Sequence, residues 1–149
     1  MKTIDTLSKI FSDAKRSGIY YLAGKGDKVE RAAKVAGLSI IKLDIGRSHG
    51  KSALLSLLAR ALKFPKYFGQ NWDALHDHLT DLSWLNANGW LVIITNSRSF
   101  AESHGEDFEM AVEVLRTAAE HWRRQGKPFW ILIQGEENWD AGLPKLPEN

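Results

Sequence analysis

The chain has 149 residues, 44% hydrophobic and 26% charged, with no cysteine, which suits one domain with a real core and excludes disorder, a disulfide scaffold, a thiol nucleophile and a thiolate metal site. No apolar run approaches the roughly 18–20 residues that span a bilayer. The opening MKTIDTLSKIFSDAKRSG, interrupted throughout by lysines and acids, does not read as a secretion signal, so a cytoplasmic location is expected. The net charge of +2 conceals a division: residues 1–63 hold 13 Lys+Arg against 5 Asp+Glu, net +8, and residues 64–149 hold 7 against 13, net −6. A molecule with a basic and an acidic end is expected if the halves also separate in space.

In chain order, Ile4, Leu7, Ile10 and Phe11 recur at helical spacing, predicting a helix from about Asp5 to Arg16 that stops at Gly18. IYYLAG reads as a short strand. DKVERAAKVAG reads as a helix capped by Asp27 and closed by Gly37. SIIKLDI, rich in β-branched residues, is the next strand. GKSALLSLLARALKF is an amphipathic helix ending before Pro65. Another helix is predicted from about Asn71 to Leu82, and WLVIITN is the continuous apolar run of a strand covered on both faces. A long helix from about Asp107 to Arg124 and the strand FWILIQG follow. The tail EENWDAGLPKLPEN, with its two prolines, is expected to be loose. Strands separated by helices imply parallel pairing, hence an α/β layered fold with about four strands and helical crossovers.

GRSHGKS (46–52) sits where a phosphate-binding loop would. Such a loop needs a glycine five positions before its Gly-Lys, where this chain has Ile45; Gly46 leaves it one residue short. A helix start capped by Ser48 is expected instead. Asp73, His76 and Asp77 could supply metal ligands from one helix, but there is no HExxH pattern or second ligand cluster, and His49, His78, His104 and His121 are scattered. Neither a metal site nor a cofactor is expected. No GxSxG elbow or Ser-His-Asp order points to an enzyme. Trp72, Trp84, Trp90, Trp122 and Trp130 fall on apolar faces or strands, which core packing explains, and no RNP-like motif accompanies them. Direct nucleic-acid binding is therefore not expected, although the basic N-terminal half keeps an RNA-binding or regulatory protein as the alternative.

FPKYFGQNWDALHDHL (64–79) is more informative. At 100° per residue, Trp72, Leu75, Leu79 and Leu82 share one side, and Asp73, Asp77, Thr80 and Asp81 the other, with His76 at the flank. Asn71 suits an N-cap, Gly69 suits a tight turn into the helix, and Asp73 complements the positive helix end. Asp77 and Asp81 gain little from that dipole. Carboxylates at i and i+4 repel by a few tenths of a kcal/mol per pair, so the row does not serve the helix itself. It is either a solvated face or a docking surface for a basic partner.

YFGQNWDALHDHLTDL closely resembles the central motif of the barstar family, intracellular inhibitors of barnase-like ribonucleases, whose pattern reads approximately YYGxNxDALWDxLT. The matching residues are Tyr67, Phe68, Gly69, Asn71, Asp73, Ala74, Leu75, Asp77, Leu79 and Thr80. The resemblance implies one barstar-like domain over residues 1–149: an N-terminal extension (1–37), a barstar-like core (38–135) and a C-terminal tail (136–149). It implies a non-enzymatic protein whose motif loop and helix cover the active site of a basic extracellular-type or toxin ribonuclease, as an immunity protein does. Asp77 would take the place of a substrate phosphate, with Tyr67 and Asp73 in support and Gly69, Asn71, His76, Thr80 and Glu120 completing the docking set. His76 stands where the family has tryptophan. The family's glutamate on the last long helix aligns approximately with His121, next to Glu120.

Overall fold

A computed structural model of the chain describes residues 2–65 and 69–147. Among the described residues, six α-helices and four strands follow one another: α1 (Lys2–Ser12), β1 (Ile19–Ala23), α2 (Asp27–Val35), β2 (Ser39–Asp44), α3 (Lys51–Ala61), α4 (Trp72–Leu79), β3 (Trp90–Thr95), α5 (Ser97–Ser103), α6 (Gly105–Arg124) and β4 (Phe129–Gly135). The four strands form one sheet in the order β1-β4-β3-β2, every pair parallel. β3 and β4 are therefore internal, and their continuous apolar runs are buried from end to end apart from Thr95 and the last residues of β4.

Alternation along the strands divides the core into two layers. Leu91, Ile93, Trp130 and Leu132 face α1 and α2, meeting Leu7, Ile10, Phe11, Val29, Ala32 and Ala33. Val92, Ile94, Phe129, Ile131 and Ile133 point the other way, into a larger cluster built with α3 to α6. The helix carrying the acidic row thus lies on one side of the sheet. The two N-terminal helices, which hold Lys9, Lys28, Arg31 and Lys34 at exposed positions, lie on the other.

Trp130 on internal strand β4 fixes the N-terminal layer. Its indole Nε1 donates to the Phe11 carbonyl at 3.0 Å, and its ring meets Phe11 edge-on at 5.1 Å and stacks on Tyr20 at 5.5 Å. Phe11 is fully buried. Phe11→Ala is expected to cost about 3–5 kcal/mol of stability, read as a lower denaturant midpoint with an unchanged slope.

Several predicted boundaries move, each for a local reason. The first helix spans Lys2–Ser12, not 5–16, because Asp13 turns extended and its side chain caps a separate 3₁₀ turn at Ala14–Arg16 by accepting from the Lys15 N–H. Gly26, not Asp27, is the N-cap of α2; Asp27 is its first residue, where a carboxylate still opposes the positive helix end. Gly37 does close that helix region, at φ +81, with the Leu38 N–H reaching the Ala33 carbonyl. The long helix begins at Gly105, and the short α5 precedes it where no helix was predicted.

The tail is not loose through residue 147. Its backbone joins the outer edge of β1: the Tyr21 N–H donates to the Pro144 carbonyl and the Leu146 N–H to the Tyr21 carbonyl. Trp139 and Leu143 pack on the larger core and Leu146 on the smaller. The Tyr21 hydroxyl donates to the Glu136 carbonyl, and burial, then the Glu136 charge, raises that phenol above its ordinary value. Two prolines signalled irregular backbone, which the tail has, but not its apolar anchors.

Candidate docking surface

Helix α4 is fixed at both ends. Asn71, in extended conformation, caps it by accepting the Ala74 N–H at 2.7 Å, while its amide donates to the Gly69 carbonyl at 3.2 Å. The left-handed residue of this turn is Gln70, at φ +48, which follows Gly69. A Cβ on Gly69 would meet Asn71 Nδ2 at 3.4 Å, a close but ordinary approach. Gln70 is stabilised in that conformation by its amide, which donates to Ser56 Oγ on α3 at 2.7 Å. Asn71→Ala is expected to cost about 1 kcal/mol of stability, measured by thermal melting, and to weaken partner binding by loosening the turn.

The helix ends at Leu79, three residues short of the prediction. Thr80 is its C-cap, and Leu82 at φ +49 turns the chain away, so Asp81 stands in the closing turn rather than in the helix. Two indoles tie this end down: Trp122 Nε1 on α6 donates to the Leu79 carbonyl at 2.7 Å, and Trp84 Nε1 donates to the Leu62 carbonyl just after α3 at 2.9 Å. Leu75 and Leu79 are fully buried beneath.

The outward side carries Asp73 and Asp77, four residues apart. The Asp77 side chain is 81% exposed, and among the described residues its ion-pair neighbour is His76 Nδ1 at 3.8 Å. Asp73 is exposed with no ion pair among the described residues. Asp81 is also exposed and accepts the Ser83 N–H at 3.3 Å. His76 is half-buried at the flank, as its position predicts. His78 turns inward: its Nδ1 bonds the Ala74 carbonyl at 2.8 Å and its ring stacks on Phe64 at 5.0 Å. A carbonyl can only accept, so Nδ1 carries the proton. Thr80 spends its hydroxyl on the His76 carbonyl, 2.9 Å away.

Glu120 stands apart from this row. It lies two residues before Trp122, the side chain by which α6 reaches α4, hence about 160° around that helix. Its carboxylate pairs with Arg124 at 3.5 Å. Tyr67 and Phe68 lie outside the described residues.

The β2–α3 loop, which precedes α3, departs from expectation at Ser48. Gly50, at φ +90, is the N-cap of α3, and the buried Ser48 hydroxyl has no partner among the described residues. The loop is held instead by Asp44. Hydrogen bonds from the Gly46 N–H (2.8 Å) and the Asn96 side chain, with Arg47 nearby, hold the Asp44 carboxyl below its ordinary value. Lys51 at the start of α3 places its ammonium 5.6 Å from the Trp72 ring centroid, joining the starts of α3 and α4. Among the described residues, no three His, Asp or Glu side chains gather as metal ligands, and no helix is long and apolar enough to cross a membrane.

Comparison with solved structures finds the ORC2 protein of Aeropyrum pernix twice. In its ADPNP-ADP complexes the TM-score is 0.61 at 18% identity over 89% of this chain and 40% of that one; in its ADP form it is 0.63 at 19% over 89% and 39%. The chain thus spans about two fifths of those proteins, and at such identity the likeness concerns the fold alone. No curated protein matches. Residues 38–134, from β2 through nearly all of β4, match the sequence model of the family described as Barstar (barnase inhibitor), and the chain belongs to that family.

Proposed function

We propose that this protein is a cytoplasmic, non-enzymatic inhibitor that binds a basic ribonuclease and covers its active site with α4 and the turn before it, as the immunity half of a toxin pair. The observation that carries the proposal is the pair Asp73 and Asp77, exposed and, among the described residues, with no cationic partner other than His76, on a helix capped and anchored at both ends. A ribonuclease must bind phosphate, so its site concentrates Arg, Lys and His. Rigid carboxylates satisfy those groups and exclude RNA. Asp77 serves as the phosphate mimic, Asp73 and Tyr67 support it, and Gly69, Asn71, His76 and Thr80 shape the surface. The placement of α1 and α2 on the other side of the sheet supports the reading, because Lys9, Lys28, Arg31 and Lys34 do not face the cationic partner.

The test is a titration of purified chain against a cognate basic ribonuclease at low salt, with activity expected to fall to zero at stoichiometric inhibitor. Full activity in excess inhibitor overturns the proposal. The RNA-binding alternative rests on Lys28, Arg31 and Lys34, all exposed on α2. RNA retardation that declines steeply with salt, together with an unaffected nuclease, would put that reading in its place.

A further inference from the structure

A cleft of about 540 Å³ opens between α3 and the β2–α3 loop, bounded by Arg47, Ser56, Leu57, Arg60 and Asp44. Ala53, Ser56, Leu57 and Arg60 share one stripe of α3 at helical spacing. Arg47 reaches the cleft from the loop. Arg47 and Arg60 are exposed, and neither makes an ion pair among the described residues. Asp44 offsets one of the two charges, already engaged by Gly46 and Asn96, so the cleft keeps an excess positive charge.

Its position gives that charge a meaning. Ser56 on the cleft wall is the residue that accepts Gln70, and Gln70 sits between Gly69 and Asn71 in the docking turn. The cleft therefore adjoins the turn into α4 through Ser56, and in the inhibitor reading a partner seated on that turn lies beside it. Two arginines facing a basic partner would repel it, and like charges brought together at an interface cost several kcal/mol. A guanidinium pair beside an aliphatic wall is, conversely, a good receptor for a carboxylate, which it can engage through two parallel N–H donors.

Building on the inhibitor reading, we infer that the Arg47–Arg60 cleft is a second subsite of the docking surface, taking an acidic side chain from the rim of the partner ribonuclease and selecting nucleases that carry one. Asp77 reads what ribonucleases share, their phosphate site. The arginine cleft reads what differs among them.

The experiment is inhibition of the cognate ribonuclease by the full chain carrying Arg47→Glu, Arg60→Glu or both, beside Asp77→Ala and the parent. Both arginines are exposed, so Arg60→Glu should melt close to the parent; Arg47→Glu places a carboxylate near Asp44, and Arg47→Gln beside it separates lost stability from lost binding. The double variant is expected to weaken inhibition at least about tenfold, and reversing the facing nuclease carboxylate to lysine should recover much of that loss. A parent chain that fails to inhibit removes the inhibitor reading, and this inference with it. If the parent inhibits and Asp77→Ala weakens it while the arginine variants stay within twofold, the second subsite alone is refuted. Unchanged inhibition with loss of binding to a 5′-phosphorylated oligonucleotide also overturns it, assigning the cleft to phosphate.

Discussion

Asp77→Ala should weaken binding to the cognate ribonuclease by about 2–5 kcal/mol, roughly 30-fold to several-thousand-fold in Kd. That scale comes from truncating one partner of buried, hydrogen-bonded charge pairs at interfaces, barnase–barstar among them. In the free protein the Asp77 side chain is 81% exposed, so its removal costs the fold little. In the complex it would be stripped of water and surrounded by cations, and the nuclease cations left unpaired make its loss expensive. The readouts are the inhibition constant and the dissociation rate, with melting temperature nearly unchanged. Asp27→Ala, on α2 across the sheet, is the control and should leave inhibition unaltered. Comparable losses in both variants would take Asp77 out of its proposed role. Raising salt should slow association of parent and control alike, since long-range attraction between acidic helix and basic site is screened.

Deleting residues 1–37 should abolish folding, although the family match begins at residue 38. The deletion strips β1 from internal strand β4 and uncovers Leu38, Leu91, Ile93, Trp130 and Leu132. At about 2 kcal/mol per newly exposed side chain, that is on the order of 10 kcal/mol, comparable to the whole stability of an ordinary domain. The Trp130 indole also loses the Phe11 carbonyl. Circular dichroism melts and dye binding to exposed apolar surface would report the result. A cooperative transition from a monomeric 38–149 chain would show the N-terminal layer to be dispensable.

What could be read in advance depended on how far apart the determining residues lie. The Asp73–Asp77 row and the buried Leu75–Leu79 face were legible because one helix period contains them. The strands were legible from their apolar runs, but their order was not: β1 pairs with β4 across more than a hundred residues, and nothing local in IYYLA specifies that neighbour. Helix α5 escaped because SRSFAES holds one fully buried aromatic, Phe100, and too little sequence for a period. Gly69 was legible as a residue that suits a tight turn into α4, but the left-handed backbone at Gln70 was not, because it is held by a contact to Ser56 that only packing creates. The Arg47–Arg60 cleft was hidden for the same reason, since a loop and a later helical turn close it together.

The two indole hydrogen bonds at the far end of α4 bear on kinetics. Trp122 and Trp84 hold the carbonyls of Leu79 and Leu62 before any partner arrives, so the helix and its supports have little freedom left to surrender on association. Affinity differences among surface variants should then appear chiefly as changes in residence time, with the free and bound backbones of α4 superimposing. Replacing Trp122 by phenylalanine would keep much of the apolar volume and remove the donor. The resulting chain would be one that must settle its own helix before it can hold a partner.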